Sequence, residues 1–292
     1  MNKSLLSVII PTFNRKVSTL ERAIKSVQIQ SYPYIEIIIV DDNKNDSILS
    51  FDIEELCIRE NIIYIKQFGN QGACNARNIG VANSHGNYIA FLDDDDEWLS
   101  TKAAEQIAIL EKGYGLVFSK GLNVYTSPVY KEIPYGNNKN FIQEPDFQTL
   151  LIKNYIGTTS QIMVTRESFS KVNGFDTTFP ARQDYDFCLR LSQHYKLYGI
   201  DNILFKHYHH SQYQISKDVD CTLEGYLKLY RKYNIHYRKY ALEYINICCK
   251  IAKSYMHKKM FVHWIIWIIK ALLRQPHKLK CILDKATEKK LL

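Results

Sequence analysis

The chain has 292 residues, 46% hydrophobic and 13% aromatic, so it can bury a sizeable core and is too apolar for a disordered polypeptide. Its formal charge of +8 is gathered late, from about Lys228 onward behind an acidic middle, which is not the even basicity of a nucleic-acid binder. Seven cysteines without a C-x-x-C pair or a histidine at zinc spacing read as reduced packing thiols, and Met1-Asn2-Lys3-Ser4 shows no signal-peptide pattern, so a cytoplasmic protein is expected.

Leu5 to Ile10 is an apolar run ended by Pro11, as in a parallel strand buried on both faces. Ser18 is placed to cap a helix whose apolar positions Leu20, Ile24 and Val27 recur at helical spacing. Ile35 to Val40 predicts a second strand, closed by Asp41-Asp42-Asn43, and a weaker helix follows around Ile53 to Glu60. Ile62 to Ile65 predicts a third strand, Gly72 to Ala82 a helix, and Tyr88 to Leu92 a fourth strand. Repeated alternation of strand and helix indicates βαβ units, an α/β fold with a mostly parallel open sheet and helices on both faces. Further on, Leu116-Val117-Phe118, Val124-Tyr125 and Ile162 to Thr165 are strand-like, Arg166 to Val172 is a short helix, and another helix starts near Asp184. Beyond about Asp218 the pattern is helical and rich in Tyr and Lys. A catalytic domain over 1–218 and a helical C-terminal extension over 219–292 are therefore expected.

The fourth strand runs straight into Asp93-Asp94-Asp95-Asp96-Glu97-Trp98. Four consecutive carboxylates repel one another unless a cation sits among them, and hard divalent ions prefer carboxylate oxygen. By itself the tract fits either a Mg²⁺ or Mn²⁺ site or a solvated, capped turn. In open α/β sheets ligands bind beyond the carboxyl ends of the strands. Those ends carry Pro11-Thr12-Phe13-Asn14, Asp41-Asp42 and Asp93 to Asp96, so the polar residues should converge on one edge.

Five segments in order resemble family 2 glycosyltransferases of the GT-A, Rossmann-like fold. They are Ser7 to Arg15, Ile38 to Asp42, Asn70-Gln71-Gly72 through Ala76-Arg77-Asn78-Ile79-Gly80, the D-x-D-like Phe91 to Asp96, and Gln183 to Arg190, together spanning about residues 5 to 216. The resemblance implies an inverting, metal-dependent transferase that uses a nucleotide-sugar donor, usually a UDP-sugar. The acceptor it implies is a glycan or lipid-linked saccharide in the biosynthesis of cell-surface polysaccharide or lipopolysaccharide.

In those terms Asp42 accepts the imide N–H of uracil, and Pro11 and Phe13 line the base pocket. The turn after Asp42 departs from the family's D-D-G-S, having Asn43 and Lys44. Asp93 and Asp94 lie near the donor ribose, Asp95 is the metal ligand, and Arg77 brings a cationic fork to the phosphates. Asp184 is the candidate base, with a plain helix N-cap as the alternative. Of His207, His209 and His210, the last fits the family's metal-ligand spacing best.

Phe261 to Arg274 is an apolar stretch of about thirteen residues, too short to span a bilayer, which needs about 20. Its tryptophans and flanking Lys and Arg suit a helix lying on the inner face of the cell membrane; packing on the catalytic domain or in a homo-oligomer explains it equally. Two other functions compete. A sugar-nucleotide nucleotidyltransferase would need a Gly-rich phosphate loop after the first strand, and Pro11 to Arg15 contains no Gly. A non-catalytic glycan- or nucleic-acid-binding protein would have to rely on the basic tail alone, because acidic strand ends repel nucleic acid.

Overall fold

The structure, a computed structural model, describes residues 4–44, 47–126, 129–135, 141–209, 218–276 and 279–287. The chain divides into two compact units. The first comprises Met1–Asp146, Tyr155–Thr177 and Arg190–His210, and the second Phe147–Asn154, Thr178–Leu189 and Ser211–Leu292.

The first unit holds a nine-stranded sheet. Its strands are β1 (Leu6–Thr12), β2 (Ile35–Asp41), β3 (Ile63–Lys66), β4 (Tyr88–Phe91), β5 (Glu97–Trp98), β6 (Leu116–Tyr125), β7 (Lys131–Pro134), β8 (Met163–Thr165) and β9 (Leu197–His209). The order is β3-β2-β1-β4-β8-β6-β9-β5, with β7 added to β6. β3, β2, β1 and β4 are parallel, as the βαβ pattern requires. Past β4 the sheet becomes mixed, because β8 runs antiparallel to both β4 and β6 while β9 lies parallel to β6.

All seven residues of β1 are buried, and they alternate between two layers. Leu6, Val8 and Ile10 share a cluster with Leu20, Ile24 and Val27 of α1 (Val17–Gln28) and with Ile107 and Leu110 of α4 (Lys102–Leu110). Ile9 points the other way, onto α3 (Ala73–Ala82), where a Cβ on Gly80 would lie 2.4 Å from its Cγ2. Helices therefore cover both faces, and each fully buried Ile or Leu contributes roughly 1.5–3 kcal/mol. The weaker helix expected near Ile53 is α2 (Ile48–Arg59).

Several local expectations are corrected. β1 continues to Thr12 instead of ending at Pro11. Odd-numbered residues of β1 bond toward β4, as in Leu92 N to Ile9 O, and β4 stops at Phe91. The missing N–H of Pro11 therefore faces a side where no strand remains to receive it. Helix α1 starts at Val17 with Lys16 at its N-cap, and Ser18 lies inside the first turn. The chain reverses one step earlier, at Asn14, which takes a left-handed φ of 50° and donates its N–H to Asn43 Oδ1 at 2.6 Å. The two strand-like pieces between 116 and 125 are one strand, β6, and opposite its Lys120 the partner strand β9 carries extra, bulged residues between Ile200 and Phe205. Gly121 is needed there because a Cβ would sit 2.0 Å from the Phe205 ring of β9.

The second unit is helical: α5 (Phe147–Ile152), the start of α7 (Gln183–Ser192), α8 (Val219–Lys232), α9 (Asn234–Lys239), α10 (Ala241–His257), α11 (Phe261–Leu272) and α12 (Leu279–Thr287). A short helix, α6 (Arg166–Lys171), belongs to the first unit. This division differs from a single boundary near residue 218. Phe147–Asn154 and Thr178–Leu189 join the C-terminal helices because their polar groups are satisfied there. Lys250 Nζ donates to Ile152 O at 3.0 Å, Gln148 Nε2 to Glu243 Oε1 at 3.1 Å, and Lys232 Nζ pairs with Asp186 at 2.8 Å. None of the seven cysteines forms a disulfide, and five of them are buried.

Candidate active site

The carboxyl ends of β1, β2 and β4 lie side by side, since Asp42 N donates to Thr12 O at 2.9 Å and Leu92 N to Ile9 O at 3.1 Å. Parallel pairing alone thus brings Thr12, Asp42 and the Asp93 to Asp96 tract to one edge.

Each aspartate of the tract has its own counterpart. Asp93 faces the Arg77 guanidinium of α3 at 2.6 Å and accepts from the Thr158 and Thr159 hydroxyls at 3.2 and 3.0 Å. Burial disfavours its charged form, yet Arg77 and these hydrogen bonds hold its carboxyl below the ordinary range. Asp94, 6% exposed, accepts from Thr12 Oγ1 at 2.8 Å and from Arg15 Nε at 2.9 Å. Its carboxyl is raised by burial, which those two donors offset only in part. Asp96 is fully buried and accepts from Ser160 Oγ at 2.6 Å, while His207 Nδ1 of β9 lies 2.9 Å from its Oδ1. Burial works against a His207 imidazolium, but the charge and hydrogen bond of Asp96 outweigh it and push the ring up to about 9.

Arg15 Nη2, shared with Asp94, reaches Asp95 at 2.8 Å, and Arg22 Nη2 donates to the Asp95 main-chain oxygen at 2.6 Å. Burial, then Asp96, then Asp94 push the Asp95 carboxyl up to about 7. Burial and like charge thus work against ionisation of Asp95 inside the tract. A hard divalent cation fits this donor set of carboxylate oxygens. Among the described residues no group of three or more His, Cys, Asp and Glu side chains is arranged to hold a metal ion.

The second turn is built on Asp42, whose Oδ1 accepts from Gln67 Nε2 at 2.5 Å and Gln71 N at 2.9 Å and whose Oδ2 accepts from Gly72 N at 2.8 Å. Asp42 is 3% exposed and ties the approach to α3 to the end of β2. Asp41 accepts from Asn43 and Tyr64, and Lys66 Nζ lies 3.2 Å from it. Desolvation raises the Asp41 carboxyl, but bonds from Ser50, Asn43, Tyr64 and Lys66 bring it below the ordinary range.

The structure thus gathers Asp42, Arg77, Asp93, Asp94 and Asp95 at the strand ends. Pro11 is buried within β1, and Phe13, just past it, is 46% exposed with its ring available. Asp184 lies in the second unit, half-buried in the first turn of α7, where Asn154 Nδ2 stands 3.4 Å from its Oδ2. Arg182, just before that helix, has a left-handed φ of 67° and stacks over Tyr226. His210 lies outside the described residues. Sequence reasoning missed Arg15, Thr158, Thr159, Ser160 and the pairing of His207 with Asp96. Arg15 was legible in principle, as a basic residue three positions past the end of β1, beside an acidic strand end. The hydroxyl residues have no local signal.

A parallel α/β edge with a carboxylate run and arginines at its strand ends is where open α/β sheets bind ligands, and here the groups suit a charged one. The model of the family described as "Glycosyl transferase family 2" matches residues 7–172, and the chain belongs to that family. It is 28% identical over 277 residues to an uncharacterized glycosyltransferase of Haemophilus influenzae, covering 86% of this chain and 88% of the relative. It is 40% identical over 119 residues to the GalNAc(5)-diNAcBac-PP-undecaprenol beta-1,3-glucosyltransferase of Campylobacter jejuni, covering 40% of this chain and 38% of the relative. The crystal structure of S. aureus TarS 1-349 in complex with UDP-GlcNAc shares the fold, with a TM-score of 0.63 at 12% identity, covering 95% of this chain and 83% of that one. The protein is a glycosyltransferase.

Proposed function

We propose that the enzyme transfers a sugar from a UDP-sugar to a hydroxyl of a lipid-linked saccharide in cell-surface polysaccharide biosynthesis, with inversion at the anomeric carbon. The observation that carries this reading is the run of four aspartates held beside Arg15 and Arg77 where β1 and β4 end. The UDP donor is supported by the UDP-GlcNAc bound to the TarS protein, and the acceptor class by the PP-undecaprenol named for the Campylobacter relative.

Phe13 offers its ring face to the base, and the turn that Asp42 holds together forms the wall beside it. Arg77 and Arg15 are the guanidinium groups at the edge, with the planar donors that suit phosphate oxygen. Mn²⁺ or Mg²⁺, held through Asp95, would neutralise charge on the departing diphosphate. The acceptor oxygen bonds to the anomeric carbon as the bond to the diphosphate breaks and the electron pair leaves with the diphosphate. The hydroxyl proton passes to a carboxylate, for which Asp184 is our candidate. That assignment rests on the likeness of Gln183 to Arg190 to the family's base segment. A cytoplasmic site of action follows from a nucleotide-sugar donor.

A thermal-shift panel of UDP-, GDP-, CMP- and dTDP-sugars, with and without Mn²⁺, tests the donor. Ligand at 100 times its Kd stabilises by about 2.7 kcal/mol, which a melting curve resolves. UDP-sugars should raise the melting temperature, and more so with Mn²⁺. A panel in which another nucleotide class alone gives the shift, or none does, refutes the reading.

A further inference from the structure

Helix α11 packs on α10 through Trp267, Ile268 and Ala271, all buried within the second unit. Its opposite side exposes Phe261, Val262, Ile265, Ile266, Ile269 and Leu273, at 59, 69, 47, 43, 49 and 78%. At 100° per residue these six occupy an arc of about 140°, centred opposite the packed side chains. A soluble helix normally turns charge toward water on that side.

The surrounding chain is one-signed. Residues 244–283 contain eight Lys or Arg and no Asp or Glu. Lys259 is exposed in the turn before α11, Lys270 lies near its end with Nζ 4.0 Å over the Trp267 ring, and Arg274 follows, exposed. No helix among the described residues is long and apolar enough to cross a membrane. The 12 residues of α11 span about 18 Å, against a hydrocarbon core of about 30 Å.

We infer that the exposed face of α11 docks on the surface of an anionic lipid bilayer, lying in its plane with the apolar arc in the acyl boundary and the basic fringe among the headgroups. Charge decides between a bilayer and a second copy of the chain. A two-fold contact through this face would set Lys259, Lys270 and Arg274 against their own copies, and Asp220, a carboxylate that reaches this stretch, is already paired with Lys258. Anionic headgroups supply the missing charge. The inference deepens the proposed function, since a lipid-linked acceptor resides at such a surface, and it rests on that reading only for its biological setting.

Co-sedimentation of the full chain with vesicles of equal parts phosphatidylglycerol and phosphatidylethanolamine, or of phosphatidylcholine alone, tests it without any donor. Wild type should pellet with the anionic vesicles and bind phosphatidylcholine about tenfold more weakly. The Ile265→Glu/Ile269→Glu double variant should lose about tenfold or more of the anionic binding while keeping its melting temperature and its donor-induced shift. Lys259→Gln/Lys270→Gln/Arg274→Gln should lose the preference for anionic lipid. Wild type that ignores both vesicles, or a double variant that pellets like wild type, overturns the inference. So does sedimentation velocity showing a dimer that the double variant splits while vesicle binding is untouched. Failure of the donor panel with vesicle binding intact would refute the transferase chemistry and leave the docking face standing.

Discussion

Replacing Asp42 by Asn separates holding a turn from reading a base. The carboxylate receives three N–H donors, two on Oδ1 and one on Oδ2, in a setting only 3% exposed. Asn offers one acceptor oxygen and one amide. With the amide in the Oδ2 position, the Gly72 N–H meets another donor. With the amide at Oδ1, Gln67 can flip its own amide to compensate, but the Gln71 N–H cannot. Either way one buried main-chain donor is orphaned, at about 1–3 kcal/mol, and the remaining bonds lose their charge assistance, at about 1 kcal/mol. The expected loss is about 2–4 kcal/mol, or roughly 5–15 °C in melting temperature for a unit of this size. Circular dichroism melts of the nucleotide-free variant read this directly, and a UDP titration reads the second effect. If the variant melts within about 1 °C of wild type while UDP binding weakens, Asp42 reads the base alone and the reasoning about the turn is wrong.

Asp95→Asn should lower metal-dependent transfer by about a hundredfold or more while the melting temperature holds or rises, because it removes a carboxyl that burial and the charges of Asp96 and Asp94 push up to about 7. Near-normal turnover would remove Asp95 from the metal site. Lys102 is fully buried with its Nζ 4.0 Å over the Trp98 ring, and desolvation holds its pKa well below the ordinary lysine value. Its Nζ also donates to the buried Gln106 Oε1 at 2.5 Å, so Lys102→Met removes a buried amine but orphans that oxygen, and should change stability at neutral pH by less than about 1 kcal/mol. Because the unfolded chain binds the proton that the folded one resists, wild-type stability rises with pH, and wild type should gain on the variant toward pH 10; denaturant midpoints showing a constant difference would contradict this. Glu36 is desolvated, but bonds from Ser7 Oγ at 2.6 Å, His85 N at 2.6 Å and Gly86 N at 3.1 Å hold its carboxyl below the usual range. Glu36→Gln keeps an acceptor oxygen and should cost about 1 kcal/mol at pH 7. A depressed carboxylate contributes fully above its unfolded pKa and loses that contribution as pH falls through the lower folded one, so this difference should begin to shrink below about pH 4 and keep shrinking with further acid; urea midpoints taken across that range are the check.

The sequence by itself determined what depends on neighbours along the chain. Strands β1 to β4 and the helices between them are legible because burial on two faces demands unbroken apolar runs and an amphipathic helix demands its own period. The acidic strand end was legible because four adjacent like charges need an external explanation. Tertiary structure alone decided what depends on partners far away. Strand β9 was hidden because Asp201-Asn202 interrupts it; the two residues bulge out of the ladder, and only pairing with β6 on either side makes one strand. That pairing sets His207 beside Asp96, 111 residues away in sequence, as folding sets Arg15 between Asp94 and Asp95. The grouping of Phe147–Asn154 and Thr178–Leu189 with the C-terminal helices follows from ion pairs and carbonyl bonds to residues up to 98 positions distant. Local pattern reports how a segment divides itself between apolar and polar surroundings. The charge left on each carboxylate is settled by which distant cation the fold delivers, and no window of sequence contains both.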